Sequence, residues 1–119
     1  MKLKPEVKEA WLEALRSGRY KQGISYLRRN NKHCCLGVLC DLHDPNGWRE
    51  YAGVDGGDFH MDRAGTPYKQ VWVWAIDSDI GSSNITMPGK LQSIVGALVN
   101  MNDSGKTFDE IANYIEAEL

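Results

Sequence analysis

The run C-C-L-G-V-L-C-D-L at residues 34–42 constrains the fold more than any other stretch of the chain. It is too short to span a membrane and is apolar on all sides, so other elements of the same fold must wrap it. Only Val38 in it is β-branched, Gly37 lets a neighbouring element come close, and Asp44-Pro45-Asn46-Gly47 ends it with a turn. These features predict a buried central helix. The rest of the 119 residues must supply its cover, and a chain of this length buries roughly two-thirds of its unfolded surface as a single domain.

The covering elements are predicted from periodicity. Pro5 opens a helix over about 5–17, with Val7, Trp11, Leu12 and Leu15 on one face and Ser17-Gly18 as its stop. Ile24, Tyr26 and Arg28 read as one face of a short strand, with Asn30-Asn31 as a hairpin turn because Asn tolerates positive φ. Residues 45–67 are rich in Gly, Pro and Asp and read as a loop-rich stretch with room for short strand pieces. The segment Y-K-Q-V-W-V-W-A-I at 68–76 is dense in aromatic and β-branched residues and is expected to be a central strand. A helix follows over about 88–100 on Leu91, Ile94, Val95 and Leu98, and a last helix over 107–119 begins with the capping-box pattern Thr107-Phe108-Asp109-Glu110. The fold class expected is α+β: a small sheet, an N-terminal helix, a buried central helix and two C-terminal helices. Leu→Ala at Leu36, Leu39 or Leu98 is expected to cost about 2–5 kcal/mol each.

Composition places the chain among ordinary globular proteins, with 42% hydrophobic and 25% charged residues. The polar opening M-K-L-K-P-E-V-K-E is unlike a secretory signal, and a cytoplasmic location is expected. Cys34, Cys35 and Cys40, an odd number within seven residues, read as small reduced core thiols. The net charge of −2 hides an asymmetry: residues 1–33 hold nine Lys/Arg against three Glu, and residues 34–119 hold five against thirteen acidic residues. Between 16 and 32 stand six cations, Arg16, Arg19, Lys21, Arg28, Arg29 and Lys32, and no carboxylate. That segment attracts anions.

Several constellations carry possible chemistry. His33, Cys34, Cys35, Cys40 and His43 include zinc-type ligands, but adjacent Cys34 and Cys35 diverge on a helix, and Cys40 with His43 lacks two further ligands. A catalytic thiol beside His33 would sit in the most apolar stretch, where burial raises the thiol pKa. Ser104-Gly105-Lys106-Thr107 resembles the end of a phosphate-binding loop, yet the required first Gly is Asn100. Asp77 and Asp79, with Asp55, Asp58 and His60 upstream, permit a magnesium-dependent enzyme, although D-x-D is common in solvated loops. The plainer structural readings prevail here, and no cofactor, metal or catalytic residue is expected.

The basic segment carries more, because its cations interleave with Tyr20, Gln22 and Tyr26. Arg offers forked donors to phosphate and Tyr offers a ring for stacking. Arg16, Arg19, Tyr20, Lys21, Gln22, Tyr26 and Arg28 are therefore the expected ligand-binding residues. A pI near 5.9 argues against general nucleic-acid binding.

W-L-E-A-L-R-S-G-R-Y-K-Q at 11–22, C-C-L-G-V-L-C-D at 34–41, residues 91–98, Asn102-Asp103-x-Gly105, Phe108 and Ile111-Ala112 together resemble a family of small uncharacterised proteins encoded by phages and prophages. Segment 68–76 and the Gly-rich loop before it depart from that pattern. The resemblance implies an accessory phage gene product that binds or inhibits host machinery, and it carries over no catalytic residues. The function expected is a non-enzymatic, anti-defence type protein that sequesters a small anionic ligand such as a nucleotide signal. The alternative is an inhibitor of a host protein acting through the acidic 44–79 region with Trp48, Tyr51, Phe59 and Trp72. No membrane partner is expected. Four Trp, five Tyr and a doubly apolar segment lead to an expected homo-oligomer.

Overall fold

The computed structural model describes residues 3–50, 57–61, 67, 69–76 and 89–119. In chain order the elements are α1 (Pro5–Arg16), β1 (Lys21–Gln22), β2 (Arg28–Arg29), β3 (Lys32–His33), α2 (Cys35–His43), β4 (Trp48–Arg49), β5 (Phe59–His60), α3 (Lys69–Ala75), α4 (Gly89–Asp103) and α5 (Phe108–Glu118). This is a small α+β fold, with a three-stranded sheet ordered β1-β3-β2 and a two-stranded sheet β4-β5. No described helix is long and apolar enough to cross a membrane.

The central helix is as the apolar run requires. Cys35 through Cys40 are all buried, and α1, α3, α4 and β3 pack around α2. Its start is tied to the chain before it: the Cys34 Sγ caps the helix by accepting from the Gly37 N–H at 3.3 Å, and the Cys34 N–H donates to the Leu27 carbonyl at 3.1 Å. Gly37 lies so close to that same carbonyl that any Cβ would collide with it. Close approach, not positive φ, is what requires glycine here. Downstream, the Asp44 carboxylate accepts from the Asn46 N–H at 3.0 Å, the turn that terminates α2.

Helix α1 buries Val7, Trp11, Ala14 and Leu15, and the Trp11 indole donates to the Cys35 carbonyl at 3.0 Å. Helix α5 carries the full capping box: Thr107 accepts from the Glu110 N–H, and Glu110 accepts from the Thr107 N–H. Its buried Phe108, Ile111, Ala112 and Ile115 face α1. Leu3 closes the ends of the chain, donating its N–H to the Leu119 carbonyl and bridging Ile76.

Two local expectations change. Residues 69–75 are helical, not a strand. Val71, Trp72 and Ala75 are buried while Val73 is 43% exposed, so burial follows a helical stripe. β-propensity yields to tertiary context here: one apolar stripe against α2 buries this segment, and the sheets are made from two-residue strands elsewhere. The hairpin forms at the expected turn, with Asn30 (φ 54°) and Asn31 (φ 64°) both left-handed. Its first strand, however, is only Arg28–Arg29. Residues 24–27 bend instead, through Ser25 at φ 71°, and Ile24 is left 58% exposed. The expected start of α4 at 86–88 lies outside the described residues.

Candidate functional site

Register places three like charges side by side. Lys21 pairs with Lys32 across the parallel β1-β3 ladder, and Lys32 pairs with Arg29 across the antiparallel β3-β2 ladder. All three are exposed, and strands are about 4.8 Å apart, so a row of cations crosses the sheet. Like charges directly opposite destabilise a sheet, and neighbours this close lie within a Debye length at physiological salt. Among the described residues none of the three pairs with a carboxylate, although Arg16–Glu116, Arg19–Glu13 and Arg28–Asp58 ion pairs form at 2.7, 2.7 and 2.6 Å.

A groove of about 210 Å³ opens beside the row, lined by Gly23, Ile24, Arg29, Asn30 and Lys32. The backbone builds it. Gly23 donates to the His33 carbonyl at 2.8 Å, and a Cβ on it would stand 2.9 Å from the Lys32 Cβ. Asp103 accepts from the Ser25 N–H at 3.0 Å, holding the bend that turns Ile24 outward. The Arg29 guanidinium lies 5.5 Å from the Tyr26 ring centroid, a cation–π contact that leaves its charge intact.

The other row of the sheet, Gln22, His33 and Arg28, faces a clasp around α2. Asp41 accepts from the Tyr20 hydroxyl at 2.6 Å and from the Trp48 indole at 3.0 Å. His33 meets the Tyr20 and Trp48 rings edge-on at 5.0 and 5.6 Å, and the Arg28 guanidinium lies 4.5 Å from the Trp48 ring centroid. His60 packs on Trp48 at 4.8 Å with its Nε2 at 3.0 Å from the Asp44 carbonyl, and His43 packs between His60 and Trp74. Burial, then the Asp41 hydrogen bond, pushes the Tyr20 phenol up to about 12. Burial lowers His33 and His43, the latter with a contribution from His60. The Tyr20 phenol and the His33, His43 and His60 rings, packed among the Trp48 and Trp74 indoles, tie the two sheets to α2. Among the described residues no three metal donors converge.

The thiols are equally quiet. Cys34, Cys35 and Cys40 are free and buried, and burial lifts Cys34 to about 11 and the other two further above the ordinary thiol value.

The profile of one protein family, a domain of unknown function designated DUF8296, matches residues 3–119. The chain belongs to the DUF8296 family. Among curated proteins and among solved structures no match is found.

In this DUF8296 domain the seven residues expected to bind ligand do not converge on one site. Arg16 donates to Asn113 at 2.8 Å and Glu116 at 2.7 Å, clasping α1 to α5. Arg19 pairs with Glu13, Tyr20 and Arg28 belong to the clasp, and Gln22 donates to Asn102 at 3.0 Å and to the Lys106 carbonyl at 2.7 Å. Tyr26 lies under Arg29 and against Gly57, where any Cβ would strike it. Only Lys21 stands in the free row. Arg16, Tyr20 and Gln22 do line a second groove of about 260 Å³ at the start of α5. Asp109 also lines it, and Glu110 already caps that helix end, so an anion gains little there.

Of the acidic constellation, Asp58 is neutralised by Arg28, while Asp55, Asp77, Asp79 and Tyr51 lie outside the described residues. Trp72 is fully buried in the core. Sequence reasoning passed over Asp41, although a carboxylate inside an apolar run must find donors. It also passed over Ile24 as an exposed apolar group beside cations.

Proposed function

We propose that this DUF8296 domain is a non-catalytic binding protein for a small phosphate-bearing anion, of the nucleotide-signal class, and that it serves a phage by withdrawing that anion from a host response. The observation that carries the binding reading is the row Lys21–Lys32–Arg29: three exposed like charges in register, without a carboxylate partner among the described residues, cost the sheet stability, and an anionic ligand offsets that cost. Ile24 beside them supplies an apolar surface for a ring, and among the described residues the groove lining carries no carboxylate, imidazole or thiol to drive chemistry. The phage role rests on the resemblance of the 11–22, 34–41 and 91–112 segments.

The test is to saturate the protein with ATP as probe, release the ligand by heat and weigh it. The expected result is stoichiometric recovery of unchanged ATP, lost in a Lys32→Gln, Arg29→Gln double variant and retained in Arg19→Ala. Recovery of ADP or AMP would move the protein to the enzymes, and equal uptake by the double variant would remove the row from the reading.

A further inference from the structure

We infer that the ligand is a nucleoside polyphosphate, its phosphate chain laid across the sheet from Lys21 over Lys32 to Arg29 and its base seated on Ile24. This rests on the binding reading above and specifies the class of anion.

Two inter-strand spacings put the outer members of the row about 10 Å apart at the backbone. Their mutual repulsion keeps the charged ends from gathering on one point. A single phosphate therefore engages two neighbouring cations at best, whereas a chain of phosphates engages all three while each charge keeps its distance. The chemistry of the row is graded in the same sense. Lys21 and Lys32 are point charges suited to any phosphate oxygen, while Arg29, at the groove side, has a planar fork for bidentate contact, and its face is already ordered over Tyr26.

The groove accounts for the other half of the ligand. At about 210 Å³ it is smaller than the roughly 300–1,000 Å³ of pockets that engulf a whole drug-sized ligand. It has room for one ring and not for the phosphates. Ile24, 58% exposed at a bend fixed by the Ser25–Asp103 hydrogen bond, presents an apolar face to that ring, and the Asn30 amide on the rim can both donate to and accept from a base edge. A nucleic-acid strand would need cations continuing beyond the row, and the chain as a whole is net negative.

Thermal-shift and calorimetric titrations of the whole protein with orthophosphate, citrate, tripolyphosphate and ATP test this. Tripolyphosphate is expected to bind at least about tenfold tighter than orthophosphate and tighter than citrate, which is multiply charged but compact. ATP should match or exceed tripolyphosphate. Lys21→Gln and Arg29→Gln, at opposite ends of the row, should each weaken tripolyphosphate about tenfold while leaving orthophosphate within about twofold. Ile24→Ser should weaken ATP and spare tripolyphosphate. All three are exposed positions, and the thermal midpoint without ligand reports that each variant folds. Orthophosphate binding as tightly as tripolyphosphate would overturn the polyphosphate inference and leave the binding reading standing. An ATP affinity indifferent to Ile24→Ser, or a short single-stranded oligonucleotide that displaces ATP, would overturn the nucleotide assignment. No binding of any of the probes would overturn both.

Discussion

Lys32 faces Arg29 directly across the β2-β3 hairpin, both side chains exposed, with Lys21 on the other side of Lys32. Folding alone gives no reason for that arrangement, because relieving it should stabilise the protein. Replacing Lys32 by Thr, a strand-favouring neutral residue, is expected to raise stability by about 0.2–1 kcal/mol while weakening anion uptake. Urea unfolding at low ionic strength, where charge repulsion is least screened, measures the gain. A loss of stability in Lys32→Thr would mean that the row is a structural feature and not a site.

Gly37 carries the packing of α2 on the 24–27 bend, since any Cβ would collide with the Leu27 carbonyl. Gly37→Ala should destabilise by at least about 1–3 kcal/mol through overpacking, despite the higher helix propensity of Ala. A denaturant midpoint equal to that of the parent chain would contradict the close approach.

Asn102 is 1% exposed and accepts from the Cys35 N–H at 3.1 Å and from Gln22 at 3.0 Å while donating to the Gly23 carbonyl at 2.7 Å. Its removal strands the buried Cys35 N–H at the start of α2 and the Gly23 carbonyl just after β1. Asn102→Ala is expected to cost upwards of about 2 kcal/mol, each unpaired group contributing about 1–3. Because Gly23 lines the groove, ATP affinity should fall as well. A variant with unchanged unfolding and unchanged uptake would show that the network carries nothing.

Burial holds the His33 and His43 imidazoles below their usual value of 6.5. The unfolded chain therefore takes up protons there before the folded one does. Stability is fullest above about 6.5 and falls as pH drops from there through the folded-state values. Arg28, Asp41 and Asp58 face His33, and Asp44 and His60 face His43, yet desolvation is the largest influence on both. Glu110, held below 4.5 by the Thr107 hydrogen bonds, and Glu116, held below 4.5 by Arg16, add a second decline at lower pH. Thermal midpoints against pH should show both, and His33→Gln with His43→Gln should flatten the first. A midpoint indifferent to pH between neutrality and the carboxylate range would contradict the buried clasp.

The elements with a physical signal in their own residues are legible in the sequence. The all-round apolar run became α2, the capping box opened α5, and the paired asparagines turned the hairpin. Segment 69–75 was misread because aromatic and β-branched residues favour a pleated surface only when neighbouring strands exist to pair with them; here α2 is the neighbour and a helical stripe fits it. The site was legible only as a charged segment. Charge along a sequence does not say which cations find carboxylates, and the answer lay in partners far along the chain: Glu116 for Arg16, Asp58 for Arg28. Nor does it reveal that Lys21, Lys32 and Arg29 share one row, since that depends on a parallel pairing of two-residue strands with no periodic signature.

The measurement that bears most directly on the central claim is calorimetric titration of ATP into the parent protein and into a Lys21→Gln, Arg29→Gln, Lys32→Gln triple variant, each at low and at high salt. The expected result is saturable binding at one site per chain in the parent, weakening steeply with salt, and no detectable binding in a triple variant that is at least as stable as the parent. Equal affinities in the two proteins, or no binding in the parent at low salt, would contradict it.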